Sequence, residues 1–449
     1  MARTARKEIS LTAEEKLAQA LVPEAEQPYR VPANWCWVYL TKGFADCKDS
    51  YRKPINATER ADRIGDIPYY GATGQVGWID DYLTDEELVL LGEDGAPFLD
   101  LLKDKAYLIS GKAWVNNHAH ILKSFFGHIG NLYLLNYLNV FNFTGYVNGT
   151  TRLKLTQSSM DTIPVPVPPL VEQQRIVDRI ESLFAKLDEA EEKAQAVVDG
   201  FEDRKAAILH KAYTGELTKS WRIINNEPDS WENVLFENII IDGPQNGLYK
   251  PKMAYGQGTK ILRIDGFYDG YLEPWDTLKR LTVGEDEKSI YSLHINDIVV
   301  NRVNSMPFLG KSALIRDLPE PCVFESNMMR IAIDVKRAHP EYIIRYLNSS
   351  IGLVELRKNA KQAVNQASIN QQDVKAVNIP LPPLKEQIVI IDLLERIIKK
   401  ELQVKEAAEQ VIDQINTMKK AILARAFRGE LGTNDPADES AEELLKRVL

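Results

Sequence analysis

One feature constrains this chain more than any other: part of it is written twice. PVPPLVEQQRIVDRIESLF, from Pro166, closes with KAAILHKAYTGEL at Leu217, and PLPPLKEQIVIIDLLERII, from Pro380, closes with KKAILARAFRGEL at Leu431. Pro168 and Pro382 are 214 residues apart, as are Gly215 and Gly429, so no gap intervenes. About two positions in five are identical over about fifty, a register too long for two unrelated helices to share by chance.

Each copy reads as one long helix. The Pro-Pro pairs stop whatever precedes, and Glu172 and Glu386 fall in the first turn, where an acid complements the helix dipole. Apolar residues then step by four and three. The first copy gives Ile176, Ile180, Leu183, Leu187, Ala190, Ala194, Val197 and Phe201. The second gives Ile390, Leu394 and Ile397, breaks at Glu401, and resumes with Val404, Ala408, Val411, Ile415, Met418 and Ile422. This is a heptad seam. Gly215 and Gly429 stand where a C-cap glycine is expected. About 40 residues at 1.5 Å each make a rod of about 60 Å. Two rods with apolar seams in one chain are expected to pair, most simply antiparallel. Ile176, Leu183, Leu187, Val197 and Phe201 would pack there against Ile390, Ile397, Val404, Val411 and Ile415.

The intervening stretches are rich in Gly, Asn, aromatics and short β-like runs, and each opens alike, with Pro32-Ala33-Asn34-Trp35 and Pro228-Asp229-Ser230-Trp231. Beyond those tryptophans, 36–160 and 232–375 share no register. The expected fold class is α+β: two globular mixed domains separated by two long helices pairing as an antiparallel coiled coil. The expected divisions are a lead-in (1–28), a first head (29–165), a first helix (166–217), a second head (218–379), a second helix (380–431) and an acidic tail (432–449). The tail reads as mobile, with a last short helix.

Net charge is −9, which argues against a uniformly basic nucleic-acid binder, since phosphates are met mainly by Lys and Arg. The excess sits in the first helix and the tail, leaving the second head near neutral. Cys36, Cys47 and Cys322 form no metal or disulfide pattern, as expected for a reducing cytoplasm. The N-terminus lacks a leader's apolar stretch, and no run suits a membrane span.

Motifs for chemistry are incomplete. Pro-Pro occurs only as VPPL and LPPL, not in the Asn/Asp-Pro-Pro-aromatic setting that holds a flipped adenine. Gly310-Lys311-Ser312 has Ser305 where a P-loop needs glycine. Gly71, Gly74 and Gly77 read as a turn between strands. His118 and His120, with His128 nearby, lack a third ligand at metal spacing. No catalytic residue and no metal ligand is expected.

The doubled junction (IPVPVPPLVEQQRIV and NIPLPPLKEQIVI) and the helix ends YTGEL and FRGEL resemble the specificity subunits of Type I restriction–modification systems. So do IPYYGATGQVGWID (67–80), LVLLGEDGAPF (88–98), KAWVNNHAHIL (112–122) and GTTRLKLTQSSMDTIPVP (149–166) in the first head. NDIVVNRVNSMPFLGKSALI (296–315), CVFESNMMRIAI (322–333) and QASINQQDVKAVNIPLPPL (366–384) do the same in the second. The likeness covers nearly the whole chain, from about residue 29 to 431.

The resemblance implies a non-catalytic subunit whose two heads are target recognition domains for a bipartite, asymmetric sequence in double-stranded DNA. Its partners would be two modification (methyltransferase) subunits and restriction subunits, with no membrane. S-adenosylmethionine would belong to the modification subunit and ATP with Mg to the restriction subunit, with no cofactor on this chain. Glu172, Gln173, Glu386 and Gln387 would fix the helix starts and face the partner. Asn and Gln suit adenine edges, Arg and Lys guanine or phosphate. On that basis the expected DNA contacts are Lys112, Asn116, Asn117, Arg152 and Lys154 in the first head. In the second they are Lys250, Lys252, Arg263, Arg302, Asn304, Lys311, Lys361, Asn365 and Gln366. Two other classes stay open at this point: a coiled-coil scaffold with protein-binding heads, and a self-sufficient enzyme.

Overall fold

The computed structural model describes residues 11–100, 103–364 and 366–449. It forms two compact units, Met1–Gln195 with Glu409–Leu449, and Ala196–Ala408. Both are mixed helix and sheet, so the chain is α+β.

In the first unit, the strand Cys36–Tyr39 pairs antiparallel with Pro164–Val167. Proline lacks an N–H and suits such a two-stranded edge ribbon; the freed carbonyls find other donors. The helix Gly127–Val140 carries Tyr133 and Tyr137 one turn apart, and their hydroxyls donate to the carbonyls of Pro166 and Pro164. Phe427 packs edge-on to both rings, each 5.1 Å away. An antiparallel sheet runs in the order Ala45–Cys47, Ala119–Ser124, Leu88–Gly92, Ala106–Ile109. Leu88 to Leu91 are all buried because both faces of their strand are covered: Val89 and Leu91 join the core with the helix, Leu88 and Leu90 a cluster with Val115. A second sheet orders Gly74–Ile79, Ile67–Gly71, Lys112–Val115, Thr84–Asp85, its two central strands parallel.

The second unit repeats this plan in an unrelated sequence. Glu232–Leu235 pairs antiparallel with Asn378–Leu381. The four-stranded sheet orders Ile240–Asn246, Met328–Ile333, Ile298–Asn301, Ser312–Leu314, again first, last, second, third in chain order. The smaller sheet again contains one parallel pair, Tyr255–Leu262 with Cys322–Phe324. Tyr342 and Tyr346 donate to the carbonyls of Pro380 and Asn378. Tyr213, which matches Phe427 in the repeat, packs edge-on to both at 5.3 and 5.1 Å. The heads that share no register in sequence share a topology.

The first repeat is not one helix. It divides at Gly200 into Leu170–Asp199 and Phe201–Tyr213, whereas the second runs unbroken over Leu384–Ala426. Glycine is a poor helix former, and the equivalent residue in the second copy is Gln414. The expected C-caps stand: Gly215 and Gly429 have φ of +77° and +72°.

The seam needs correction on the second helix. Ile390, Ala408 and Ile415 are buried and Ile397 half-buried, but Val404 and Val411 are 50% and 42% exposed. The half-buried positions lie one residue later, at Lys405, Ile412 and Lys419. Lysine stems cover apolar surface while their heads find partners. Lys419 pairs with Asp188 at 2.6 Å and Glu191 at 2.7 Å, and Lys405 lies 5.4 Å from the Phe201 ring centre. On the first helix Ile176 and Phe201 are buried, with Leu183, Leu187 and Val197 half-buried.

The tail is not loose either. Its helix, Ala441–Val448, buries Ala441, Leu444 and Leu445 in the first unit's core with Leu17. Arg175 ion-pairs with Asp438.

Candidate nucleic-acid interface

The helix starts are internal joints. Glu172 and Gln173 are wholly buried, as is Gln387, and Glu386 nearly so, so they do not face a partner. Glu172 accepts from Trp35 Nε1 at 2.7 Å, Asn434 Nδ2 at 2.9 Å and Thr433 Oγ1 at 3.3 Å. Glu386 accepts from Thr218 Oγ1 at 2.6 Å and from Arg222. Gln173 and Gln387 each donate back to the first carbonyl of the Pro-Pro pair, at 3.1 and 2.8 Å. A buried carboxylate needs such donors, which is why Glu-Gln follows Pro-Pro-Leu-Val in the first copy and Pro-Pro-Leu-Lys in the second.

The expected DNA contacts divide by what already holds them. In the first head, Arg152 lies 2.6 Å from Asp94 and Lys154 3.0 Å from Glu93, so both are neutralised within the protein. Asn116 is buried and its Oδ1 accepts the His118 N–H at 2.8 Å, which shapes the turn. Asn117 is exposed beside it, and Lys112 is exposed, 4.5 Å from the Tyr82 ring centre.

In the second head, Lys250 pairs with Glu287 at 2.7 Å, and Arg263 lies between Asp265 and Glu325 at 3.6 and 3.5 Å. Lys252 is exposed. Lys311 lies 4.5 and 5.2 Å from the rings of Phe308 and Tyr268. Arg302 donates to the Ser326 carbonyl, and Asn304 accepts the Ser305 N–H. A three-stranded ribbon, Val303–Asn304, Gln366–Ser368 and Lys361–Ala363, brings Asn304, Lys361 and Gln366 together. Asn365 lies outside the described residues.

Sequence reasoning missed Lys53 and Arg60. Lys53 lies 5.8 Å from the Trp114 ring centre and Arg60 5.1 Å from that of Tyr69. No motif marks them; their setting arises because Ile67–Gly71 and Lys112–Val115 become neighbouring strands.

The histidines meet carboxylates. His118 Nδ1 is 2.8 Å from Asp94, His128 Nδ1 is 2.8 Å from Glu87, and His120 Nδ1 is 2.6 Å from Asp49. Asp49, Glu93 and His120 bring ligand-type atoms within 4.8 Å of one another. Arg52, however, ion-pairs with both carboxylates and Lys154 with Glu93, so cations of the chain itself already compensate the site. Burial alone would raise the pKa values of Asp49 and Glu93, but hydrogen bonds and charge from His120, Arg52 and Lys154 outweigh it and hold both below the ordinary carboxylate range. Burial instead pushes the thiols of Cys36, Cys47 and Cys322 up to about 12, which keeps them protonated and unreactive. Gly310-Lys311-Ser312 leads into the strand Ser312–Leu314 rather than a helix, so the strand–loop–helix phosphate cradle is not formed there.

Known proteins are similar to this chain in sequence and in fold. The specificity subunit of the Type I restriction enzyme EcoKI of Escherichia coli K12 is 28% identical over 284 residues, 63% of this chain and 61% of that protein. That of StySPI of Salmonella potsdam is 27% identical over the same shares. The chain thus spans under two thirds of the length of these two curated relatives. The solved HsdS subunit of Thermoanaerobacter tengcongensis agrees in fold with a TM-score of 0.54 at 18% identity, over 91% of this chain and all of that one. A chain from a type I R-M system, solved for its complex assembly and conformational transition, gives 0.63 at 17%, over 90% and 100%. The family model for the Type I restriction modification DNA specificity domain matches residues 45–198 and again 254–414, one match on each head and the helix that follows it, and the chain belongs to that family.

Proposed function

We propose that this chain is the DNA sequence-recognition subunit of a Type I restriction–modification complex, reading a bipartite, asymmetric target and directing adenine methylation and restriction by partner subunits. The observation that carries this reading is the pairing of one head topology, used twice, with two unrelated sets of surface side chains. A common frame with different faces suits two different half-sites. Sequence is read by side chains on base edges while phosphate contacts fix position, so a fold can stay constant while its specificity changes.

The two long helices pair as an antiparallel coiled coil in this reading. It is supported inside each unit: Lys419 meets Asp188 and Glu191, and Arg204 meets Glu401 at 2.7 Å. Residue numbers rise on one helix as they fall on the other. Two methyltransferase subunits, which bring S-adenosylmethionine, and restriction subunits, which bring ATP and Mg, complete the complex in the cytoplasm; the chain itself is non-catalytic. The exposed Val411 and Met418, seven residues apart on one helix face, suit packing against such a partner. Among the described residues no helix is long and apolar enough to cross a membrane.

The test is modified-base sequencing of DNA from cells carrying this chain with its cognate methyltransferase, against cells with the methyltransferase alone. Methyladenine at one split, asymmetric motif, present only with this chain, is expected. An intact complex that leaves no motif would refute the reading.

A further inference from the structure

In the first head, most cations are already matched by acids. Lys48, Arg52, Arg63, Lys123, Arg152 and Lys154 each have a carboxylate within 4.0 Å. Lys53, Arg60 and Lys112 differ. Among the described residues none of them makes an ion pair or a side-chain hydrogen bond, and each rests over an aromatic ring instead: Trp114, Tyr69 and Tyr82 respectively.

Two of those rings, Tyr69 and Trp114, are buried side by side beneath their cations. Tyr69 and Trp114 are register partners in the parallel strand pair, so their side chains stand on the same face of the smaller sheet. Lys112 lies two residues before Trp114 on the same strand, and so on the same face. Lys53 is fixed there by its backbone: its N–H donates to the Val115 carbonyl at 3.1 Å, and its carbonyl accepts from Trp114 Nε1 at 2.8 Å. Arg60 comes from the short helix Ala57–Asp62, and its guanidinium lies over Gly77 on the neighbouring strand. Asp85 stands opposite Lys112 in its strand pair yet makes no ion pair with it.

A ring under a cation holds the side chain in place but does not cancel its charge. An anion in solution therefore meets cations with no paired carboxylate here, and largely neutralised ones at Arg152 and Lys154. Beside Arg60 opens a cleft of 580 Å³ whose lining includes Asn56, Glu59, Tyr69, Asn117 and His118, with the exposed Asn117 amide placed to meet a base edge.

We propose that the first head meets duplex DNA through this face, with Lys53, Arg60 and Lys112 on the phosphate backbone beside the Asn117 cleft, and not through Arg152 and Lys154, which belong to the antiparallel ribbon of Val147–Asn148 with Lys154–Leu155 and the turn between its strands. The proposal rests on the DNA-reading function above and assigns it a surface.

The test uses the assembled complex of this chain with its methyltransferase subunits and a duplex carrying the motif found by sequencing. The dissociation constant is measured against salt for the wild type and for Lys53→Gln, Arg60→Gln and Lys112→Gln, singly and together. Each phosphate that the protein no longer neutralises lowers the log–log salt slope by about 0.9, so the triple variant should show a slope smaller by about 2.7, with methylation falling at limiting complex. Thermal unfolding of each variant separates a folding defect from a binding one, and the single variants stand if the triple does not fold. Unchanged slopes and methylation in folded variants would overturn the proposal while leaving the proposed function intact. A wild-type complex without salt-dependent binding or a motif would overturn that function, and the assigned face with it.

Discussion

Three glycines hold nearly the same backbone conformation in different surroundings, which makes them a ruler for close packing. Gly215, Gly429 and Gly432 have φ of +77°, +72° and +71°. Replacing any of them with alanine costs about 1–2 kcal/mol for placing a Cβ in the left-handed region. At Gly432 that is the whole effect, because nothing lies within 4 Å of the new carbon. At Gly215 the carbon would sit 3.3 Å from an Arg222 nitrogen and 3.5 Å from Trp231, so a side chain must give by a few tenths of an ångström. At Gly429 it would lie 2.4 and 2.7 Å from Pro32 Cγ and Cδ, with Trp35 behind at 3.6 Å. A proline ring cannot swing away, and overpacking of this kind adds about 1–3 kcal/mol. Gly429→Ala should therefore cost about 2–5 kcal/mol, the sum of the left-handed and overpacking costs, well beyond Gly432→Ala, with Gly215→Ala close to the latter. Urea unfolding of the purified complexes, scored by midpoint at constant slope, gives the order. Equal losses of stability at Gly429 and Gly432 would refute the claim that Pro32 and Trp35 close directly onto the helix end.

The seam and the buried ion cluster give two further tests. Ile415 is 2% exposed and Val411 42%, so Ile415→Asp should cost more than about 3 kcal/mol and Val411→Asp within about 0.5 kcal/mol; thermal unfolding in the reverse order would restore the seam as read from sequence. The pKa values of Asp49 and Glu93 are held below the ordinary carboxylate range, so their contribution is complete above that range, near pH 4, and is lost as pH falls through the lowered folded values. Arg52→Gln removes the cation they share and should cost about 3 kcal/mol at neutral pH, with acid unfolding beginning at higher pH than in the wild type; an unchanged acid profile would show that Arg52 does not hold the cluster.

Much of this architecture could be read directly from the chain. The constant offset of 214 residues, the Pro-Pro stops and the two Gly-Glu-Leu ends mark where each helical repeat starts and is capped, because those signals act over a turn or two and need no distant partner, but they do not show the break at Gly200 in the first copy. The common topology of the heads could not be read, since a sheet order depends on which strands meet, and strands as far apart as Ala45–Cys47 and Ala119–Ser124 leave no local mark of their pairing. Nor could the inner flank of the second helix: apolar spacing admits both Val411 and Ile412, and the choice fell to the side on which Lys419 finds Asp188 and Glu191. The same holds for the cations. Lys154 and Lys112 are equally good DNA contacts on paper, yet Glu93 neutralises the first, while the second rests on a tyrosine ring and keeps its charge. Sequence alone determined where each helical repeat starts and where its capping glycine stands. Only tertiary structure decided which charges are already paired, because pairing depends on which side chains the folded strands bring within a few ångströms.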